Sequence, residues 1–212
     1  MRKYFAANLS FRLALLLVKR QGIGRLGIGL VSSLVLSGLC CISRHNPLLE
    51  PLMAAFAPLV MASFIGASFY SPMRALEETV AIVLLSLQLG YIIGLCVICM
   101  LILILPTYAV VGSIPWHLLG IFAGEVGLAL VGYRLLGAER SWAMPLVYVA
   151  GTYYAYITDY NGFSSMLLPA WMWPVRLIIT LDSLLWQMGF LLIGVAALVT
   201  SASDDVVSDA LS

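Results

Sequence analysis

One stretch of the chain, from residue 79 to residue 114, is predominantly apolar and contains no charged side chain. A helix rises about 1.5 Å per residue and the hydrocarbon core of a bilayer is about 30 Å thick, so about 20 apolar residues cross it. Divided into a hairpin of two spans, the stretch would give each span about 15 residues, or roughly 22 Å, which is too short. We therefore expect a single tilted span over residues 79–105 that ends at Pro106.

The composition extends this expectation to the whole chain. Of its 212 residues, 62% are hydrophobic and 10% are charged, whereas a soluble domain is about 45 to 50% apolar and about 25% charged. A water-soluble globular protein is therefore excluded, and so is a disordered chain, because disorder requires low hydrophobicity. The near balance of 11 basic and 10 acidic residues gives no basis for binding nucleic acid. The expected partner is the lipid bilayer.

The distribution of apolar runs predicts an all-α fold, a polytopic transmembrane helical bundle of about six spans. The predicted spans are roughly residues 26–43, 51–70, 79–105, 115–133, 142–158 and 177–200. The first and the fifth are short and contain Gly with Ser or Tyr, so they need neighbouring helices for stability. Together the six spans form one predicted transmembrane domain over residues 26–200.

The basic residues predict the orientation of this domain, because cytoplasmic loops carry an excess of Lys and Arg. With six spans, Arg44 and Arg176 lie outside and the other nine basic residues lie on the cytoplasmic side. These nine are Arg2, Lys3, Arg12, Lys19, Arg20, Arg25, Arg74, Arg134 and Arg140. A seven-span arrangement would place eight basic residues on the cytoplasmic side and three outside, instead of nine and two. Six spans in a cell membrane, with both termini cytoplasmic, is therefore the preferred arrangement.

Two terminal segments flank the predicted spans. Residues 1–25 place Phe5, Leu9 and Leu13 on one side of a helix and Arg12 and Lys19 on another, a pattern typical of an amphipathic helix that lies on the membrane surface. Residues 201–212 form a short acidic tail, which we expect to be a frayed cytoplasmic end.

Glu125 is the sharpest single feature, because it lies near the middle of the fourth predicted span. A carboxylate at that depth costs about 2.5 to 3.5 kcal/mol on insertion scales, and the cost is lowest when the group is protonated, paired or in contact with water. One interpretation is a group on a substrate or proton pathway. The other is a structural carboxylic acid that hydrogen-bonds a neighbouring helix, and the sequence favours neither.

Three further polar residues are candidates for a transport pathway. Asp182 lies early in the sixth span, where it can reach the headgroup region or pair with a basic group, so a structural role is favoured. Gln88 in the third span and Gln187 in the sixth are most simply explained by hydrogen bonds between helices, worth about 1 kcal/mol each.

Small residues at four-residue spacing, Gly90 with Gly94 and Gly120 with Gly124, allow close helix contact. They indicate packing either within the bundle or at a dimer seam. Cys96 and Cys99 have the spacing of a redox or zinc motif, but their apolar surroundings favour simple packing. We find no phosphate loop, nucleophile elbow or metal-ligand cluster in the sequence, and therefore predict neither an enzyme nor a cofactor.

Between the fifth and sixth spans, residues 164–175 are too apolar for a free loop and, with Pro169 and Pro174, unsuited to span the membrane. We expect this stretch to lie in the outer interface or to dip back into the bilayer, with Trp171 and Trp173 in the aromatic belt. The short cytoplasmic link of residues 71–78 is expected to be a compact charged turn, which is either simply solvated, the simpler interpretation, or in contact with a soluble partner. Its candidate contacts for a soluble partner are Arg74, Glu77 and Glu78.

This layout resembles the ABC-type export permeases. The similar parts are the basic N-terminal helix, the six spans, the stretch of residues 127–134 and the proline-bearing segment of residues 169–174. The resemblance implies a permease subunit that works as a homodimer or heterodimer with a separate cytoplasmic ATPase. Members of that family usually carry a longer coupling helix between spans two and three than residues 71–78 provide.

A second resemblance is to aromatic acid exporters of the fusaric-acid-resistance type, in residues 57–67 followed by Pro72, Met73 and Arg74. It implies a proton-coupled exporter, although such exporters usually add a cytoplasmic domain. A third interpretation is a structural subunit of a membrane complex, for which apolar helices and close Gly contacts would suffice.

Overall fold

A computed structural model describes residues 31–32, 34–39, 41–42, 49–68, 81–159 and 168–211. Five α-helices follow in chain order: α1 (Leu49–Ala67), α2 (Ala81–Val111), α3 (Trp116–Leu136), α4 (Ala143–Asp159) and α5 (Leu181–Leu211). Short 3-10 helices cover Ala138–Arg140 and Ala170–Val175, and the described residues between 31 and 42 are helical. No strand occurs in these ranges, which confirms the predicted all-α fold.

Four helical segments are long and apolar enough to cross a membrane, namely Leu49–Ala67, Ile92–Val110, Trp116–Leu136 and Leu181–Thr200. They correspond to the second, third, fourth and sixth predicted spans. Helix α4 has 17 residues, which gives about 26 Å of helix against a core of about 30 Å. The first predicted span lies partly outside the described residues, so the total of six remains a prediction.

The third span is one helix rather than a hairpin, as expected, but Pro106 does not end it. Helix α2 passes through Pro106 and ends at Val111. Next to the proline, Thr107 donates its hydroxyl to the carbonyl of Leu103 at 2.9 Å. The helix stops where Gly112 takes a positive φ of 72° and donates its N–H to Tyr108, a conformation that glycine adopts readily.

Helices α3 and α5 are parallel and pack backbone to backbone. A Cβ atom built on Gly127 would lie 2.3 Å from the carbonyl oxygen of Phe190, and one on Gly194 would lie 2.4 Å from the carbonyl oxygen of Gly127. Seven residues earlier on both helices, Gly120 faces Gln187 in the same way. The equal spacing shows that the two helices run in the same direction, held in register by their glycines.

Helix α1 runs in this direction as well, because Gly66 near its end meets Ala129 and Ser141 near the end of α3. We call the end where α1, α3 and α5 begin the upper end, and the opposite end the lower end. Helix α4 runs upward. It begins beside Gly132, where an added Cβ atom would contact Met144, and Tyr156 near its end packs under Met172. From α3 through α5 the directions therefore alternate, as they do in a protein that crosses a membrane repeatedly.

Helix α3 is the central helix of the bundle. Within its membrane-length segment 72% of the residues are buried, against 22% for those of α2 and α5. The outward side chains of α2 and α5 are large and apolar; they include Ile93, Val97, Leu101, Leu105, Leu181, Leu185, Leu192 and Ile193. Such a surface needs a lipid environment. The chain is therefore a membrane-embedded helical bundle.

Candidate functional site

The candidate site is built around Glu125, which lies near the middle of the 21-residue helix α3. Its side chain is 0% exposed, and neither carboxyl oxygen has a hydrogen-bond partner among the described residues. A buried polar group without a partner is costly and rare in native proteins. Glu125 is therefore where the sequence predicted it, at membrane depth, but without the hydrogen bond to a neighbouring helix that the structural interpretation required.

An aromatic cluster lies beside this carboxyl. A Cβ atom built on Gly124, the residue before Glu125, would lie 2.7 Å from Cη2 of Trp173. Trp173 stacks on Tyr148 at 5.6 Å between ring centroids, and both rings approach Phe190, at 6.3 and 5.6 Å respectively. Three elements, namely α4, α5 and the 3-10 helix Ala170–Val175, thus supply aromatic rings to one position on α3.

The placement of Trp173 corrects the sequence prediction. It is 0% exposed, so it does not belong to an aromatic belt, whereas Trp171 is 42% exposed and faces outward. The physical reason is local: two prolines break the helix around Trp173, and Gly124 has no side chain to oppose the indole ring. Residues 172–175 therefore pack into the bundle, and the depth of the stretch in the membrane stays a prediction.

Glu125 shares one side of α3 with residues that touch the indole ring. Ile121 and Leu128 pack in one cluster with Trp173. They precede and follow Glu125 by four and three residues, a spacing that places side chains on the same helix face. The carboxyl is therefore flanked along α3 by the two residues that Trp173 covers.

The adjoining part of α3 faces an apolar cluster. Phe122 and Val126 pack there with Met61 of α1 and with Cys99 of α2. Cys96 packs against the same cluster, which agrees with the packing interpretation of the cysteine pair. This cluster thus packs apolar side chains of α1 and α2 against the residues of α3 next to Glu125.

Gln187 lies in the contact between α5 and α3, as expected for a glutamine that links two helices. Its Oε1 atom would be 2.3 Å from a Cβ atom built on Gly120, so the amide rests directly on the backbone of α3. The residue is 2% exposed, yet Oε1 has no hydrogen-bond partner among the described residues. The interface therefore contains a second buried acceptor without a donor, on another face of α3 from Glu125.

Asp182 lies far from Glu125, at the upper end of the bundle. Because residue 194 is level with residue 127, Asp182 lies about ten residues, or roughly 15 Å, above the level of Glu125. Its carboxylate accepts a hydrogen bond from Arg176 at 3.2 Å; Arg176 is 6% exposed and Asp182 is 56% exposed. This pair supports the structural role that the sequence favoured for Asp182.

The remaining candidates fall outside what the structure describes. The side chain of Gln88 in α2 is among them, and so are the predicted partner contacts Arg74, Glu77 and Glu78 and the surface helix of residues 1–25. The two glycine pairs predicted to allow close helix contact differ in their surroundings. Gly120 and Gly124 pack inside the bundle, whereas Gly90 and Gly94 face open space.

Together these observations define a class: an all-α integral membrane protein with a buried carboxylic acid in its central helix. Comparison of the chain with protein-family profiles, with curated sequences and with solved structures gave no match.

Proposed function

We propose that this protein is a proton-coupled membrane transporter in which Glu125 binds the transported proton. One observation carries the proposal: a carboxyl group that is 0% exposed, at the centre of a membrane-length helix, with neither oxygen hydrogen-bonded by a described residue. Ionisable residues inside membrane spans are expensive, and they typically mark ion paths and proton relays.

A purely structural carboxylic acid would be expected to donate or accept a hydrogen bond between helices. Asp182 illustrates such a role, since it pairs with Arg176. Glu125 has no comparable partner in the described part of the chain. The cost of burying it is therefore better explained by a group that changes its protonation state during a cycle than by one that holds helices together.

The aromatic rings near Glu125 indicate the chemical class of the solute that the protein would transport. Trp173 contacts Gly124, the residue before Glu125, and it stacks on Tyr148 and approaches Phe190. Aromatic surfaces of this kind bind flat aromatic molecules. The resemblance to aromatic acid exporters implies the same class of substrate. We therefore propose a small aromatic molecule as the solute that moves in exchange for protons.

The permease of an ABC-type exporter remains a separate prediction, with its dimer and its ATPase partner. It depends on Arg74, Glu77 and Glu78, which lie outside the described residues. We favour the proton-coupled transporter because its central residue is described and has the properties that the mechanism needs. A structural subunit is the third alternative, and it requires no function for Glu125.

Reconstitution of the purified chain separates the three alternatives. Proteoliposomes loaded with a pH-sensitive dye and with benzenesulfonate, a flat aromatic anion that neither crosses lipid nor titrates, receive an inside-negative membrane potential, with neither nucleotide nor a second protein present. A proton-coupled transporter acidifies the lumen faster than empty vesicles do. An ABC permease without its ATPase, or a structural subunit, gives the rate of empty vesicles, and that result would overturn the proposal.

A further inference from the structure

A short segment of the chain covers the upper approach to Glu125. Residues 168–176, which we call the cover segment, include the 3-10 helix Ala170–Val175. Trp171 is exposed at the surface, whereas the residues from Met172 to Val175 are buried. The segment is thus attached near the start of α5 and sends one ring, that of Trp173, down to Gly124.

Two parts of the bundle offer little freedom to expose the carboxyl. Helices α3 and α5 are locked backbone to backbone at Gly127 and Gly194. At the lower end, Ser141 lies against both Gly66 and Gly132, so tight contacts close that side as well. Interlocked backbones cannot separate without the loss of many contacts at once. Separation of α3 from α5 is therefore disfavoured, whereas the cover segment meets α3 at Gly124 through a side chain, that of Trp173, which can withdraw.

The backbone of the cover segment makes its hydrogen bonds locally. Pro169 and Pro174 have no N–H to donate, and Met172 has a non-helical conformation with φ −86° and ψ 25°. In addition to the bonds inside the 3-10 helix, Met172 donates its N–H to the carbonyl of Pro169 and Arg176 donates its N–H to the carbonyl of Trp173. These bonds lie within the segment, so the segment can move as a unit without breaking them.

Two polar contacts fasten the cover segment to the helices. Tyr148 of α4 donates its hydroxyl to the carbonyl of Trp171, and Arg176 pairs with Asp182 of α5. The Asp182 carboxylate is more than half exposed, so this ion pair is partly screened. The buried side chains of Met172, Trp173 and Val175 add aromatic and apolar contacts.

We infer that the cover segment is the upper gate of the transporter: when residues 168–176 withdraw, Trp173 leaves Gly124 and Glu125 becomes accessible to water from the upper end. Tyr148 and Asp182 hold the closed position through their bonds to Trp171 and Arg176. Because a gate matters only for a group that exchanges protons, this role rests on the proposed function of Glu125. Movement of the segment, however, is measurable without any transport assay.

The test measures how fast residue 125 reacts with a charged, membrane-impermeant maleimide in lipid nanodiscs, whose two faces are both open to reagent. Cys40, Cys41, Cys96 and Cys99 are replaced by Ala, and Glu125→Cys supplies the one thiol. The gate is then loosened by Tyr148→Phe together with Asp182→Asn. The control pair is Glu139→Gln together with Thr200→Ala, two exposed positions near the lower end.

We expect the loosened gate to raise the labelling rate by about tenfold or more, the change in open population that a loss of about 1.4 kcal/mol gives. The control pair should leave the rate unchanged. Equal rates in the loosened and control proteins would overturn the gate, whether or not the protein transports protons. If the gate passes this test but the wild-type chain, which retains Glu125, carries no protons, the gate stands and the proposed function is refuted.

Hydrogen exchange on the unmodified chain provides the second measurement, which decides the case if the cysteine variant does not fold. We expect the amides of residues 170–173 to exchange through local opening well before those at the centre of α3. If both regions exchange at the same slow rate, the segment does not open independently and the gate is refuted.

Discussion

The indole ring of Trp173 lies directly on Gly124, with Cη2 and Cζ2 only 2.7 and 2.9 Å from the position that a Cβ atom on residue 124 would occupy. Glycine at this position therefore creates the space that a tryptophan from a distant part of the chain fills. The consequence is a bulky ring over the same helix turn that carries the buried Glu125.

The first prediction concerns this contact. Gly124→Ala would place a methyl group inside the van der Waals radius of the ring, and overpacking of a core typically costs about 1 to 3 kcal/mol. We expect a lower unfolding temperature in detergent and higher exposure of Trp173, visible as a change in tryptophan fluorescence.

Gly151→Ala is the matched control for that substitution, because Gly151 lies in α4 with no atom within 4 Å of a Cβ. Alanine there should be neutral or stabilising by up to about 1 kcal/mol, since it favours the helix over the unfolded chain. A Gly124→Ala protein as stable as the Gly151→Ala protein would show that the ring does not depend on the missing side chain.

The second prediction concerns the contact between α3 and α5. Gly194→Ala should destabilise the protein by about 3 kcal/mol, at or above the upper end of the usual range for overpacking, because the obstacle is the backbone of Gly127 rather than a movable side chain. Unfolding of the reconstituted protein by a denaturing detergent measures the effect. Gly94→Ala, on the exposed side of α2 with open space around it, should not destabilise; similar losses for both variants would contradict the parallel packing of α3 and α5.

The third prediction concerns the start of α5. The hydroxyl of Ser183 is 3.1 Å from the N–H of Thr180, and the N–H of Ser183 is 3.5 Å from the hydroxyl of Thr180. This is the reciprocal pattern of a capping box, so Thr180→Ala should cost about 1 kcal/mol. Thr200→Ala, which removes a hydroxyl bonded to the carbonyl of Ala197 on the exposed side of the same helix, should cost less. Equal losses in thermal unfolding would show that Thr180 does not cap α5.

The fourth prediction separates a functional from a structural Glu125. Glu125→Met replaces the carboxyl by an apolar group of similar length, and it removes a buried polar group that has no partner among the described residues. An unsatisfied buried group costs about 1 to 3 kcal/mol, so the variant should be at least as stable as the wild type. A marked loss of stability would instead mean that the carboxyl holds helices together.

Helix α3 is the element that the sequence predicts best. The sequence alone predicts this span and shows the single carboxyl at its centre, because a helix that crosses lipid must be apolar along its length. The end of α2 shows the opposite case: Pro106 resembles a terminus, yet the helix continues to Val111, since membrane helices tolerate proline when neighbouring groups compensate. Likewise, α5 begins only at Leu181 and continues through Leu211, into the segment expected to be a frayed tail.

The surroundings of Glu125 were not predictable in the same way. Trp173 lies 48 positions after Glu125 in the sequence, and its aromatic character alone suggested the membrane interface. Only the tertiary arrangement places it against Gly124. The available signals were the glycine immediately before the carboxyl and the two prolines around the tryptophan. These signals indicate close packing and a broken helix, but they do not specify which elements meet.

The most direct test of the account is the potential-driven proton flux of Glu125→Gln in proteoliposomes that contain the purified chain as their only protein and are loaded with benzenesulfonate as the aromatic solute for exchange. Glutamine keeps the size of the side chain but cannot exchange a proton. Glu139→Gln, at an exposed position near the lower end, is the matched control, and unfolding of each protein in detergent establishes that it is folded. The account predicts flux in the wild type and in Glu139→Gln, and the background rate of empty vesicles in folded Glu125→Gln. Wild-type flux that persists in Glu125→Gln would contradict it.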